Sequence, residues 1–262
     1  MKSPARKVPD LLKNWDDVAK KIQLQRRVTV FLDFDGTLVA IAPRPDQVRL
    51  APVARKILGQ LARHPLATLV VVSGRRRAEL LEHIGIPGIH YFGLYGWERN
   101  AKSALPASVR AALSHARTAI EPLLVAYPGL WIENKHNSLS VHLLHLPAGL
   151  HSRVRGEIRV HLKRFQKSLR AVENIRDVEI LPRSIPGKGI AVSQFLAQPA
   201  HRKSFPFYFG DDFSDESGFA AVKSGASVHV GHPRPTRAQY HLRNPAEVAK
   251  ALARLYALLS QS

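Results

Sequence analysis

Short apolar runs alternate along the chain with segments of helical spacing. The runs VTVFLDF (28–34), ATLVVVSG (67–74) and FPFYFGDD (205–212) are bounded by charged or turn-forming residues, as is typical of buried strands. Between such runs, apolar residues recur every three or four positions, as in 51–65 and 245–259, which predicts amphipathic helices. Strands and helices that alternate at this spacing predict a parallel α/β sheet.

The pattern changes in the middle of the chain. There the spacing predicts two long helices, the second of them strongly basic, and three strands beside them. Two helices next to an antiparallel sheet indicate a compact α+β unit. The predicted helices are 107–129 and 151–170, and the predicted strands are 130–135, 138–146 and 177–182.

Together these patterns predict an α/β fold with a Rossmann-like parallel-sheet core and an inserted α+β cap domain. We expect the core to be formed by residues 1–100 and 183–262, and the cap by residues 101–182. The length of 262 residues and the hydrophobic fraction of 45% are sufficient for both units.

Composition and charge narrow the function classes. The chain has no Cys, which excludes disulfides, thiolate nucleophiles and cysteine metal sites. The first ten residues, MKSPARKVPD, lack the apolar stretch of a signal peptide, and no apolar run approaches the roughly 20 residues of a membrane span. We therefore expect a cytoplasmic protein without a membrane partner. The net charge of +19 fits a nucleic acid, an anionic surface, an anionic small substrate, or only a solvated basic face.

Polar side chains follow three of the predicted strands at the point where each strand ends. Asp33 and Asp35 end the first strand, Asp211 and Asp212 follow FYFG, and Ser73 ends a third strand. Ligands of a parallel sheet bind beyond the carboxyl ends of its strands, so we expect these side chains to converge. A cluster of carboxylates is tolerated when a hard cation neutralises it, and all-oxygen ligands suit Mg²⁺. Two further acidic residues follow, Asp215 and Glu216, of which Glu216 is interpreted as structural.

Four motifs, in this order, resemble those of the haloacid dehalogenase superfamily of phosphohydrolases. They are DFDGTL at 33–38, VVSGR at 71–75, Lys188 in PGKG, and GDDFSDE at 210–216. The resemblance implies that Asp33 is a nucleophile that forms an aspartyl-phosphate, and that Asp35 is the general acid and base. It also implies that Ser73 and Lys188 hold the transferring phosphoryl oxygens.

The same resemblance implies how a substrate and a metal would be held. Mg²⁺ would bridge the nucleophile and the fourth motif, and the turn after the first strand would direct backbone N–H groups at the phosphate. The implied metal ligands are Asp33, Asp35 through its main-chain carbonyl, Asp211, and Asp212 or else Asp215. The implied substrate-binding residues of this region are Gly36, Thr37, Gly74 and Arg75.

Within that superfamily the chain is most similar to trehalose-6-phosphate phosphatases. The similarity rests on GLYGWE, ENKHNSLSVH and VGHPRPTRAQYHLRNPAEV. It implies that the cap reads sugar hydroxyls through Glu133 and Lys135, which lie on one face of a strand, with Ser138 and His142 beside them. From spacing alone, a solvent-facing Glu–Lys pair is the simpler interpretation of the first two residues.

Two departures from that family leave alternatives open. Tyr95 stands where the family usually has His, and Leu143 and Leu144 stand where a Tyr-Arg pair usually follows the cap histidine. We expect a monomeric, Mg²⁺-dependent hydrolase that acts on trehalose 6-phosphate in trehalose biosynthesis. A first alternative is a phosphatase for another sugar phosphate, of the sucrose phosphate or mannosyl-phosphoglycerate type. A less favoured one is a nucleic-acid-binding protein on a phosphatase scaffold, because no known nucleic-acid motif is present.

Overall fold

The computed structural model describes residues 8–42, 44–99 and 105–261. These residues form two compact units: one contains the described residues up to Arg99 and from Gly187 onward, and the other those from Leu105 to Pro186. The predicted α/β fold with an inserted α+β unit is confirmed, since a parallel sheet and a separate antiparallel sheet are both present. The predicted boundary at residues 100 and 101 lies outside the described residues.

The secondary structure of the described residues follows. The helices are α1 Trp15–Gln25, α2 Pro52–Ala62, α3 Arg77–His83, α4 Ala107–Ile120, α5 Pro122–Ala126, α6 Ala148–Leu162, α7 Lys188–Leu196, α8 Glu216–Ala221 and α9 Pro245–Ser260. The strands are β1 Val28–Leu32, β2 Ala67–Val72, β3 Ile89–Phe92, β4 Trp131–Asn134, β5 Leu139–His142, β6 Leu169–Glu173, β7 Asp177–Pro182, β8 Phe205–Gly210, β9 Ala226–Val230 and β10 Tyr240–Leu242. Short 3-10 turns lie at Pro45–Gln47, Leu94–Gly96, Lys163–Phe165 and Phe213–Asp215.

The first unit is built on a six-stranded sheet in the order β10-β9-β8-β1-β2-β3, and each of its pairings is parallel. Strand β1 lies inside the sheet, and all five of its residues are buried. Alternate side chains point to opposite faces, so Val30 and Leu32 join the core with α2 and α9, while Phe31 joins the core with α7 and α8. The carboxyl ends of β1, β2 and β8 therefore lie side by side at one edge.

The second unit is a four-stranded antiparallel sheet in the order β4-β5-β7-β6, with α4 and α6 packed against it. Leu113 of α4 and Val154 and Ile158 of α6 are buried, as are Val141 of β5 and Ile180 of β7. This unit has its own apolar interior, which explains how it forms a separate compact body.

Two predicted helices of the cap were wrong in their bounds, and one strand was missed. The helix predicted over 107–129 is divided into α4 and α5 at Pro122, which has no N–H to continue the helical hydrogen bonds. The helix predicted over 151–170 ends at Leu162, followed by the turn to Phe165. Residues 169 and 170 of that predicted helix belong instead to β6, whose sequence LRAVE is not a continuous apolar run, and four of whose five residues are only half-buried.

The basic run of α6 is largely engaged in contacts within the second unit. Arg153 pairs with Glu157 at 3.1 Å, and Arg159 donates to Glu173 at 2.5 Å. Arg155 donates to the backbone carbonyls of residues 174 and 175. Part of the positive charge thus supports the fold of this unit.

Among the described residues, no helix has both the length and the apolar character that crossing a bilayer requires.

Candidate active site

A buried ion-pair network lies at the carboxyl edge of the parallel sheet. Asp33 follows β1 directly, and Lys188 is the first residue of α7. The Lys188 Nζ donates to Asp33 Oδ1 at 2.7 Å and to Asp215 Oδ1 at 2.7 Å. All three side chains are buried: Asp33 is 5% exposed, Lys188 3% and Asp215 0%. The predicted nucleophile and the predicted lysine are therefore in direct contact.

Burial and charge act in opposite directions on the pKa values of this network. Burial raises the pKa of the Asp33 carboxyl above its ordinary value, and the charge of Lys188 opposes that rise. Burial alone would lower the pKa of Lys188, but the carboxylates of Asp215 and Asp33 raise it above its ordinary value. Lys188 therefore remains a cation, and the crowded carboxylates call for further positive charge.

The two carboxylates of this network and a third, Asp211, are close enough to share a cation. Asp33, Asp211 and Asp215 each offer an oxygen, and these oxygens lie within 4.8 Å of one another. A Cβ atom on Gly36 would lie 2.1 Å from Asp211 Oδ2, and Gly36 also has a φ of +85°. Only glycine fits there, because any side chain would displace the Asp211 carboxylate. The glycine of the DFDG turn thus makes room for an acidic residue from another strand.

Asp215 belongs to this group of three carboxylates. The Asp212 carboxylate instead caps the turn that follows it. The Asp212 carboxylate accepts from the Phe213 N–H at 2.6 Å and caps the 3-10 turn Phe213–Asp215. The Asp215 carboxylate accepts through Oδ2 from the Asp212 N–H at 3.0 Å, and through Oδ1 also from Tyr208 at 2.7 Å. Glu216 accepts from Arg234, Thr236 and Arg237, which suits the structural role expected for it.

Hydrogen bonds connect the DFDGTL and VVSGR motifs through Arg75. Asp35 accepts two hydrogen bonds from Arg75, and the Ser73 Oγ accepts from the Arg75 N–H at 3.2 Å. Arg75, expected to bind substrate, is thus engaged with the predicted acid–base residue. The Gly36 N–H donates to Val39 O at 2.8 Å, so this amide serves the turn rather than a ligand. The Thr37 Oγ1 is buried and has no hydrogen-bond partner among the described residues.

Tyr95, one of the departures from the family pattern, also lies at this edge. It is buried in the turn Leu94–Gly96 with a φ of +58°. Its ring centroid lies 6.0 Å from Lys188 Nζ, and a Cβ on Gly74 would lie 3.0 Å from its ring. Gly74 therefore allows the close approach of an aromatic ring.

The second unit carries a separate polar cluster on its sheet. Lys135 is 8% exposed and donates to Glu179 Oε1 at 2.5 Å, while its Nζ lies 3.9 Å from Glu133 Oε2. His142 Nε2 lies 2.8 Å from the same Glu133 oxygen, and the His142 ring stacks on Trp131 with centroids 3.8 Å apart. The predicted Glu133, Lys135 and His142 are thus brought together: His142 pairs with Trp131, two residues before Glu133, and the Lys135 N–H donates to the Ser138 carbonyl after β4.

Glu179 belongs to this cluster, and sequence reasoning missed it. It lies on β7 opposite Ser140 of β5, which in turn pairs with Glu133 of β4. Burial raises the pKa of the Glu179 carboxyl to about 7, and Lys135 opposes this rise. Burial alone would lower the pKa of Lys135, but Glu179 and Glu133 raise it above its ordinary value. The available signal was an acidic residue, Glu179, set between apolar residues from Val178 to Pro182.

Ser138 and Ser140 complete the polar surroundings of Lys135. Both serines are buried, and the hydroxyl oxygen of each has no hydrogen-bond partner among the described residues. The Ser138 carbonyl accepts from the Lys135 N–H at 3.0 Å. Buried hydroxyls without a partner are costly unless a ligand or water satisfies them.

Comparison with known proteins identifies what this arrangement is similar to. The sequence profile of the trehalose-phosphatase family matches residues 31–246. The chain is 33% identical over 245 residues to a trehalose-phosphate phosphatase of Mycobacterium tuberculosis (strain H37Rv), an alignment that covers 88% of this chain and 61% of that protein. It is 27% identical to a probable trehalose-phosphate phosphatase 4 of Oryza sativa, over 95% of this chain and 71% of that protein. The chain thus spans 61% of the length of the mycobacterial relative.

Solved structures support the fold. The C-terminal domain of a C. albicans trehalose-6-phosphate phosphatase superposes with a TM-score of 0.83 at 20% identity, covering 97% of this chain and 99% of that one. A trehalose-6-phosphate phosphatase related protein superposes with a TM-score of 0.70 at 22% identity, over 89% of this chain and 99% of that one. At these identities the likeness establishes the fold alone.

Proposed function

The chain belongs to the trehalose-phosphatase family, and we propose that it hydrolyses trehalose 6-phosphate to trehalose and phosphate. The observation that carries this proposal is the buried contact of Asp33 with Lys188, in a group of three carboxylates at the carboxyl edge of the sheet. Phosphoryl transfer requires mainly positioning and charge stabilisation, which such a group can supply. Monomeric state and cytoplasmic location stay predictions.

The charge of the site fits Mg²⁺ as its cofactor. Asp33, Asp211 and Asp215 contribute three negative charges when ionised, and Lys188 contributes one positive charge. A divalent cation would neutralise the remaining two, and a set of carboxylate oxygens suits the hard Mg²⁺ ion. When bound, Mg²⁺ supplies electrostatic stabilisation of the phosphoryl oxygens. It would also favour the ionised form of Asp33, against the effect of burial.

The first half of the proposed reaction transfers the phosphoryl group to the protein. A carboxylate oxygen of Asp33 forms a bond to phosphorus while the bond from phosphorus to the sugar oxygen breaks. As general acid, Asp35 gives a proton to the leaving sugar oxygen, and trehalose departs. Lys188 holds Asp33 in place and offsets negative charge as it develops.

The second half regenerates the carboxylate of Asp33. Asp35 takes a proton from a water molecule, whose oxygen attacks phosphorus. The bond between phosphorus and the Asp33 oxygen breaks, and inorganic phosphate leaves. The buried Thr37 hydroxyl and Ser73, which is 2% exposed, are proposed to contact the phosphate oxygens.

Selection of the sugar is proposed to depend on the polar cluster of the second unit. A disaccharide offers many hydroxyls, and Glu133 and Lys135 can accept from them and donate to them. The buried, unpartnered hydroxyls of Ser138 and Ser140 support a ligand near this sheet. Glu179 and His142 hold the two central charges in position through the contacts described above.

Another sugar phosphate is the alternative substrate that a specific observation favours. Leu143 is completely buried and Leu144 is 39% exposed. Because leucine carries no charge, neither residue replaces the arginine that the family usually has there. A substrate of the sucrose phosphate or mannosyl-phosphoglycerate type would share the same core chemistry. Residues of the second unit are therefore proposed to select between these sugars.

Phosphate release from a panel of sugar phosphates tests the proposal. We expect the highest kcat/KM with trehalose 6-phosphate, low turnover of glucose 6-phosphate, loss of activity in EDTA and recovery with Mg²⁺. Ca²⁺ should not restore activity, because its larger and looser coordination shell would misplace the reacting groups. Faster turnover of another sugar phosphate would favour the alternative, and full activity after EDTA treatment would contradict the metal assignment.

A further inference from the structure

Tyr208 is a buried tyrosine in a strand whose other aromatic residues are phenylalanines. Strand β8 reads FPFYFG, and Phe205, Phe207 and Phe209 point to the face with α2 and α9. Tyr208 points to the opposite face and is 0% exposed. Its hydroxyl donates to Asp215 Oδ1 at 2.7 Å. A buried phenol hydroxyl without a hydrogen-bond partner would destabilise the folded protein. Here its partner is a carboxylate of the proposed metal site.

The ring of Tyr208 is held on several sides. It stacks on Phe31 with centroids 6.3 Å apart and meets Phe219 edge-on at 5.5 Å. A Cβ on Gly218 would lie 2.4 Å from the ring, so α8 approaches Tyr208 at a position where only glycine fits. The direction of the hydroxyl is therefore fixed by packing before any ligand binds.

The oxygen that Tyr208 contacts is the one that also binds Lys188. Asp215 Oδ1 accepts from Tyr208 and Lys188, each at 2.7 Å, and Lys188 also donates to Asp33 Oδ1. A continuous chain of hydrogen bonds thus runs from the apolar interior to the proposed nucleophile. Without Tyr208, Asp215 Oδ1 would keep Lys188 as its one donor among the hydrogen bonds described, and Lys188 is shared with Asp33. Tyr208 therefore adds a fixed donor to the oxygen that the mobile lysine side chain contacts.

We propose that Tyr208 is a positioning residue, which holds Asp215 so that the three carboxylates and Lys188 keep the arrangement needed for metal binding and phosphoryl transfer. The inference rests on the proposed function. In this role Tyr208 acts through Asp215, the carboxylate that its hydroxyl contacts. A residue that orients a metal ligand typically changes metal affinity or activity by about 10- to 100-fold when it is removed.

The test compares Tyr208→Phe with Tyr91→Phe. Tyr91 is also buried, and its hydroxyl bonds only to the backbone of Ile86 among the hydrogen bonds described, away from the carboxylates. Both variants lose one buried hydroxyl, so both should lower the melting temperature. We expect Tyr208→Phe alone to weaken Mg²⁺ binding in calorimetry of the substrate-free protein and to lower kcat, each by about 10- to 100-fold, with little change in KM.

Gly218→Ala is a second variant that keeps the hydroxyl. Its new methyl group must displace the Tyr208 ring, so Mg²⁺ affinity should fall as in Tyr208→Phe. Gly149→Ala is its control, because a Cβ there meets nothing within 4 Å. Unchanged Mg²⁺ affinity and kcat in Tyr208→Phe, with a melting temperature lowered as in Tyr91→Phe, would overturn the inference. Absence of Mg²⁺ binding by the wild-type protein would overturn the metal assignment itself, and that measurement comes before any variant is compared.

Discussion

Arg75 donates two parallel hydrogen bonds to the carboxylate of Asp35, from Nε to Oδ2 at 2.7 Å and from Nη2 to Oδ1 at 2.8 Å. The Arg75 side chain is 8% exposed, and its guanidinium lies 5.3 Å from the centroid of the Phe34 ring. A two-point contact of this kind fixes the plane of a carboxylate more firmly than a single charge does. Arg75 therefore orients the proposed acid–base residue.

Arg75→Lys should lower kcat by about tenfold or more, with little change in KM. Lysine keeps the charge but cannot form the two parallel bonds, and a hydrogen bond to a charged group contributes about 1.5 to 3 kcal/mol. Steady-state phosphate release gives both constants. Arg44→Lys is the matched control, since Arg44 makes the same two-point contact with Asp46 at the exposed surface. A kcat equal to that of wild type in Arg75→Lys would show that this contact does not serve the reaction.

Asp33→Asn should abolish turnover while the fold stays intact. Asparagine has nearly the same shape, but its neutral amide is a poor nucleophile at phosphorus. We expect a loss of at least roughly 10³-fold in kcat, as is usual when a covalent nucleophile is removed. Circular dichroism would verify the fold, and Asp17→Asn on the exposed face of α1 is the control for the same chemical change. Activity within about tenfold of wild type would refute the assignment of Asp33.

The strand ends could be predicted from sequence, because both the apolar run and the residue after it are local features. Val28–Leu32 is entirely buried, and Asp33 must therefore follow at the edge of the sheet. The same reasoning placed Asp211 and Ser73. The fold class follows from the alternation of such runs with helices, and the structure confirms it.

The side-chain contacts within the two polar clusters could not be predicted from sequence, because they join distant parts of the chain. Lys188 and Asp33 are 155 positions apart, and Lys135 and Glu179 are 44 apart. Which residues meet depends on the order of the strands in the sheet and on the direction of each side chain. The local pattern of apolar and polar residues determines neither. Tyr208 is the clearest case, since periodicity predicts only that an apolar ring is buried there.

Glu133→Gln should separate recognition of the sugar from the chemistry of the core. The change removes the charge of a carboxylate that lies near Lys135 and His142 but keeps its size. Loss of a polar contact worth about 1 to 3 kcal/mol corresponds to roughly a 5- to 150-fold lower kcat/KM for trehalose 6-phosphate. Hydrolysis of a small aryl phosphate should change little.

The control for that experiment is Glu121→Gln, a carboxyl of the same unit whose side chain is 44% exposed beside Arg117. It should leave both substrates unaffected. Equal losses on trehalose 6-phosphate and on the aryl phosphate in Glu133→Gln would mean that Glu133 supports the fold of the second unit rather than the selection of the sugar.

The buried carboxyl of Glu179 should make stability depend on pH. Burial raises its pKa from 4.5 to about 7, so the folded chain binds more protons than the unfolded chain between these values. The stability that Glu179 contributes is fully present below pH 4.5 and is lost as the pH rises to about 7. Raising a pKa by one corresponds to about 1.4 kcal/mol of free energy, so the loss of stability is at most about 3.5 kcal/mol.

Glu179→Gln removes this titration and keeps an oxygen that can accept from Lys135. The free energy of unfolding of wild type minus that of Glu179→Gln should therefore decrease as the pH rises across the window, and level off above it. Urea unfolding of both proteins at several pH values measures the difference, and Glu121→Gln controls for the loss of a surface charge. A difference that stays constant would show that Lys135 cancels the effect of burial on the pKa of Glu179. A difference that grows with pH would show that Lys135 stabilises the ionised form more strongly than burial opposes it, and either result would contradict the prediction.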